Sequence, residues 1–103
     1  MATLFFRKSR NKMTCLIKIR KLGSGDELAC CYVGVQIFNN AYGMHYEELP
    51  KNFKSMINFS GHLPDHEEWF FGFDVDIKSE LVPIKALINE LDSIANELAR
   101  FQK

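Results

Sequence analysis

The segment from Glu67 to Ile77, EEWFFGFDVDI, constrains the fold of this chain more than any other. Its residues alternate. Trp69, Phe71, Phe73, Val75 and Ile77 fall on one side of an extended strand, and Glu68, Phe70, Gly72, Asp74 and Asp76 on the other. Period-two alternation marks a strand with one face buried. A face of one Trp, two Phe, one Val and one Ile offers a large apolar area, so this strand is expected at the centre of the core.

Three further strands follow from the same period. From Met13 to Leu22, Cys15, Ile17 and Ile19 share one side, and Lys18 and Arg20 the other. Glu27 to Phe38 is rich in β-branched and aromatic residues, with Cys31, Val33, Val35 and Ile37 as its inward set. Gly23-Ser24-Gly25-Asp26 between them is a turn sequence, so the two segments form a hairpin. Lys54 to Ser60 is a short third strand with Ile57 and Phe59 facing inward. Between them, Tyr46 to Leu49 is suited to one helical turn, which Pro50 ends.

The end of the chain changes period. Ile84, Leu91 and Leu98 are spaced by seven, as are Leu87, Ile94 and Phe101, with Ile88 and Ala95 beside them. That is the apolar stripe of an amphipathic helix. Ser79 is a candidate cap, and Pro83 suits the first helical turn. The expectation is an α+β fold: a four-stranded antiparallel sheet with one face covered by the C-terminal helix. A homodimer through that helix is the alternative use of the stripe, although fewer than three heptads is short for a coiled coil.

A chain of 103 residues is one domain. Residues 1–12 read as a basic N-terminal arm and 13–103 as the domain. Basic and acidic residues balance at 13 each, but seven of the basic ones lie in the first 21 positions and no acid precedes Asp26. This polarity suggests either a basic arm or an electrostatically polar molecule. No run of apolar residues is long enough to span a membrane, and the first residues do not form a secretory signal, which points to the cytoplasm. Cys15, Cys30 and Cys31 are an odd set without metal-ligand spacing, consistent with reduced thiols. Cys30 and Cys31, adjacent in a strand, point to opposite faces.

Catalytic patterns are weak. His62, Asp65, His66, Glu67 and Glu68 have metal-type side chains, but Pro64 interrupts the helix that would align the two histidines. Asp74 and Asp76 share the outer face of their strand, as a carboxylate pair for acid–base chemistry, as a solvated face, or as partners of Lys18 and Arg20. No cofactor motif is present. Gly23-Ser24-Gly25 lacks the context of a phosphate loop. Arg7, Lys8, Arg10, Lys12, Lys18 and Arg20 are candidates for contact with nucleic acid, with Phe5 and Phe6 for stacking. Phe70 and Tyr32 fall on the polar sides of their strands. With Glu68, Asp74 and Asp76 they are candidates for a protein-binding patch, unless residues 1–12 or 39–53 fold over them.

Several of these segments, in order, resemble a family of small uncharacterised bacteriophage proteins. The resemblance rests on Tyr32-Val33-Gly34-Val35, Tyr42-Gly43, Tyr46-Glu47-Glu48-Leu49, Phe59-Ser60-Gly61, Trp69-Phe70-Phe71-Gly72-Phe73-Asp74 and the closing helix. Family members often continue after Phe-Asp with Cys-Ala-His-Ala-Gly-Asp, the natural candidate for an active site. This chain instead has Val75-Asp76-Ile77-Lys78-Ser79. The resemblance therefore implies a phage-type accessory protein in the bacterial cytoplasm, not an enzyme, that binds a host or defence macromolecule stoichiometrically. Inhibition of an antiviral system such as CRISPR is one form this takes. A nucleic-acid-binding protein using the basic segment is the alternative. A metal-dependent hydrolase using His62, His66, Asp74 and Asp76 is the second alternative.

Overall fold

The computed structural model describes the backbone of residues 2–8 together with residues 13–50, 57–77 and 83–101. The strands are β1 (Ala2–Lys8), β2 (Thr14–Lys21), β3 (Glu27–Val35), β4 (Phe59–His62) and β5 (Trp69–Asp76), followed by helix α1 (Ile84–Arg100). They form one antiparallel sheet in the order β1-β2-β3-β5-β4. The four expected strands and the covering helix are all present, so the fold is α+β. Ala2–Lys8, expected as part of an arm, adds a fifth strand at one edge. The middle strand is β3; the aromatic strand β5 lies beside it, between β3 and β4.

The hairpin of β2 and β3 is closed by the predicted turn. The Leu22 amide donates to the Asp26 carbonyl at 2.8 Å, the Gly25 amide to the Leu22 carbonyl at 3.0 Å, and Gly25 takes φ of 90°. That backbone region favours glycine because it has no Cβ. The resulting register pairs Ile17 with Cys31 and Cys15 with Val33.

One face of the sheet carries the main core. Cys15, Ile17, Ala29, Cys31, Val33, Val35, Phe71, Phe73 and Val75 are buried there with Leu87, Leu91, Ile94, Ala95 and Leu98 of α1. The helical stripe is thus occupied by the sheet of its own chain, and α1 lies against β3 and β2. Asn39 and Asn40 tie the loop after β3 to the helix end: their side-chain amides donate to the Leu98 and Phe101 carbonyls at 3.3 and 3.0 Å. At the helix C-cap the Leu98 carbonyl also accepts from the Phe101 amide, at 3.2 Å. The predicted helical turn is a short 3-10 segment, Tyr46–Glu48, capped by His45 and followed by Pro50.

Some details differ from expectation. The second strand ends at Val35, because Gln36 to Asn39 turn back with the Asn39 amide on the Gln36 carbonyl at 2.9 Å. Ile37, expected inward, is therefore 77% exposed, and Phe38 is 83% exposed. The third strand starts at Phe59, later than expected. Its Ile57 is buried in the main core, but Phe59 faces the opposite side of the sheet. The helix begins after Pro83; the candidate cap Ser79 lies outside the described residues.

Candidate protein-binding face

The face of the sheet away from α1 is organised by rows of cross-strand partners. Thr14, Gly34, Phe70 and Gly61 form one row, and Leu16, Tyr32, Gly72 and Phe59 the next. Lys18, Cys30 and Asp74 follow, then Arg20, Leu28 and Asp76. The alternation that buried Phe71 and Phe73 under the helix places Phe70, Gly72, Asp74 and Asp76 here.

Two of these rows pair an aromatic residue with a glycine, in opposite senses. Phe70 lies across Gly34, where an added Cβ would stand 2.6 Å from its Cε2. Tyr32 lies across Gly72, where a Cβ would stand 2.6 Å from its Cδ1 and 2.7 Å from the Cys31 carbonyl oxygen. The glycines let both rings lie down on the sheet. The rings then meet edge to face at 6.4 Å, and Phe59 meets Tyr32 at 5.5 Å. Such contacts are geometrically favourable for aromatic quadrupoles. Phe70 is completely buried by this arrangement, while Tyr32 and Phe59 stay half-buried. The expectation that Phe70 offers exposed aromatic surface is therefore corrected.

The cover over Phe70 comes from the β4–β5 connection. Pro64 and Asp65 form the corner of a turn in which the His66 amide donates to the Leu63 carbonyl at 3.2 Å, with Asp65 at φ of 65°. Pro followed by a positive-φ residue is the type II pattern. It sets the His66 ring 5.4 Å from Phe70, edge to face. Glu68 is also withdrawn from solvent, with its side chain 13% exposed. Buried Thr14 donates its hydroxyl to Glu68 Oε2 at 2.5 Å, and His66 Nδ1 is 3.9 Å from Oε1. Residues 39–49 pack at the other face, where the Met44 carbonyl accepts from Trp69 Nε1 at 2.8 Å and Ser60 Oγ accepts from the Tyr46 amide.

Further along β5, Cys30 lies across from Asp74 and two residues from Tyr32 on the same face. Burial, and then the Asp74 charge, push the Cys30 thiol up from its usual range. Tyr32 is pushed up to about 12, first by burial and then by Cys30 and Asp74. Cys31, on the helix side, is pushed up to about 12 chiefly by burial. All three cysteines are buried free thiols, and such thiols are poor nucleophiles.

Exposed Asp74 and half-buried Asp76 share this face with Lys18 and Arg20, two strands away with Cys30 and Leu28 between. At ~4.8 Å between strands, their backbones are ~10 Å apart. Of the nucleic-acid candidates, Arg7 and Lys8 lie on the backbone of β1, paired with Cys15 and Thr14. Arg10 and Lys12 lie outside the described residues. The hydrolase set is not assembled: His62 packs against Trp69 and Tyr42, His66 against Phe70, and Asp74 is six residues beyond Glu68 along the chain, ~20 Å of extended strand. Among the described residues, no group of three His, Cys, Asp or Glu is placed to hold a metal ion.

Thr14, Cys30, His66 and Phe59 were missed as members of this face. The available signal was the pair of glycines, Gly34 and Gly72, inside strands otherwise rich in large residues; such glycines mark close approach. Comparison with protein-family models, curated proteins and solved structures finds no match for the chain.

Proposed function

We propose that this is a small accessory protein of the bacteriophage type, acting stoichiometrically in the bacterial cytoplasm by binding a host or defence protein, as an inhibitor of an antiviral system would. The observation that supports this most is the helix-free face of the sheet. There the half-buried rings of Tyr32 and Phe59 meet edge to face, Tyr32 also meets the buried ring of Phe70 in the neighbouring row, and Asp74, Asp76, Lys18 and Arg20 lie in the rows beyond. Aromatic area held in place and bordered by charge of both signs is the composition of a protein-recognition surface. Phe70 and Glu68 lie beside it, withdrawn from solvent. Asp74, Asp76 and Tyr32 remain as the residues for direct contact.

The test is capture of partners from a host lysate, with and without nuclease, by the native chain and by the Asp74→Lys variant. A partner in one-to-one ratio that survives nuclease, is lost with Asp74→Lys and is kept with Lys85→Glu on the helix supports the proposal. Partners retained equally by both variants would refute this face as the interface. Recovery of nucleic acid alone, abolished by nuclease, would move the function to the basic segment.

A further inference from the structure

We infer that the outer edge of β1 is a docking edge for an extended, acidic segment of a partner protein, which adds to the sheet as a sixth strand. This surface is separate from the helix-free face. β1 ends the sheet, and among the described residues no strand pairs with its outer side. An unpaired edge presents a row of backbone donors and acceptors, a template for another strand. The two edges of this sheet differ. The β4 edge is four residues long and includes Gly61, whereas β1 is seven residues, Ala2-Thr3-Leu4-Phe5-Phe6-Arg7-Lys8, with no glycine, proline or acid. The bulge at Leu4 interrupts its ladder with β2 only near the start, and Phe5 to Lys8 pair in continuous register.

Charge selects the occupant. The β1–β2 ribbon carries Arg7, Lys8, Lys18, Arg20 and Lys21, and residues 1–25 hold no Asp or Glu. A second copy pairing through β1 would bring two such ribbons together, and like charges on neighbouring strands are destabilising. An acidic segment meets the same ribbon with attraction that also speeds encounter. Nucleic acid shares the attraction but cannot continue a peptide ladder.

The probe is a synthetic peptide of alternating Glu and Val, about as long as β1, titrated into the full chain. One-to-one binding is expected, with slowed hydrogen exchange at amides of residues 2–8. Affinity should fall at least about ten-fold when alternate peptide nitrogens are methylated, which removes the ladder and keeps the charge. It should fall at least as far on raising salt from ~0.1 to ~1 M, where the screening length drops from ~10 to ~3 Å. Arg7→Glu with Lys8→Glu should abolish it, and Asp74→Lys should leave it intact, so this inference and the proposed function fail separately. Four results would each overturn it: no binding of the peptide, equal binding of its methylated form, equal binding of a Lys–Val peptide, or protection of the β1 amides by self-association without peptide.

Discussion

Gly72→Ala tests the central geometric claim about the helix-free face. An alanine methyl there would lie 2.7 Å from the Cys31 carbonyl oxygen and 2.6 Å from Tyr32 Cδ1. Ordinary contact begins about 0.7 Å further out. The carbonyl belongs to the β3 backbone at the centre of the sheet and cannot turn aside as a surface side chain does. Overpacking of this kind costs about 1–3 kcal/mol. Alanine recovers about 0.5–1 kcal/mol, since glycine loses more chain entropy on folding. The net loss is up to ~2.5 kcal/mol and centres near ~1 kcal/mol, and at ~4–8 °C per kcal/mol that central value lowers Tm by roughly 4–8 °C.

The control is Gly23→Ala in the hairpin turn, where an added methyl has nothing within 4 Å. Its Tm should stay level or rise slightly. Tyr32→Ala in the Gly72→Ala background removes one of the two obstacles and should show positive coupling in a double-mutant cycle, with part of the loss remaining because the Cys31 carbonyl stays. Thermal unfolding by circular dichroism measures the native chain, the single variants Gly72→Ala, Gly23→Ala and Tyr32→Ala, and the double variant. A Gly72→Ala variant as stable as Gly23→Ala would refute the account of the rings lying flat on glycine.

Phe70→Ala should cost about 3–5 kcal/mol in urea unfolding, because the ring is completely buried; a loss under ~1 kcal/mol would mean the site is not packed. Ile37→Ser and Phe38→Ser should each change stability by less than ~0.5 kcal/mol in the same assay, as both side chains are largely exposed. In alkali, unfolded Tyr32 loses its proton near its ordinary value of 10.0, before the folded protein does at about 12. The unfolded state then binds fewer protons, so the stability due to Tyr32 is intact below pH ~10 and is lost between pH ~10 and ~12. Tyr32→Phe should flatten the decline over that window; an unchanged slope would assign it to other groups, with Cys31 first among them.

The sequence made the core legible because its periods were uninterrupted. The two-residue period from Trp69 to Ile77 and the seven-residue spacing from Ile84 to Phe101 each name a buried face without reference to neighbours. The hairpin was legible because a glycine-rich link joins two such strands. Phe59 was misassigned for a local reason: it was read in phase with Ile57, but the strand starts at Phe59, and Ile57 reaches the core from outside its ladder. Ile37 failed similarly, since the turn at Gln36 breaks a pattern that hydrophobicity alone extends. The burial of Phe70 was not legible because it depends on pairing. Only the register shows that Phe70 faces Gly34 and Tyr32 faces Gly72.

That register also changes which perturbations can report on function. Removing residues 1–12 would remove the basic residues before Met13, but it would also take away β1 and leave β2 as a bare edge through its buried residues Thr14 to Ile17. Loss of binding in such a truncation would not separate charge from fold. Reversing Arg7 and Lys8 keeps the strand and changes only its charge. Phe70 presents the same difficulty: its replacement removes the buried ring beside Tyr32 as well as altering the face. Asp74 does not, being exposed at the far end of β5 from Glu68 and Thr14. Its replacement leaves both aromatic–glycine rows intact, so a loss of binding at unchanged Tm would be a loss of contact.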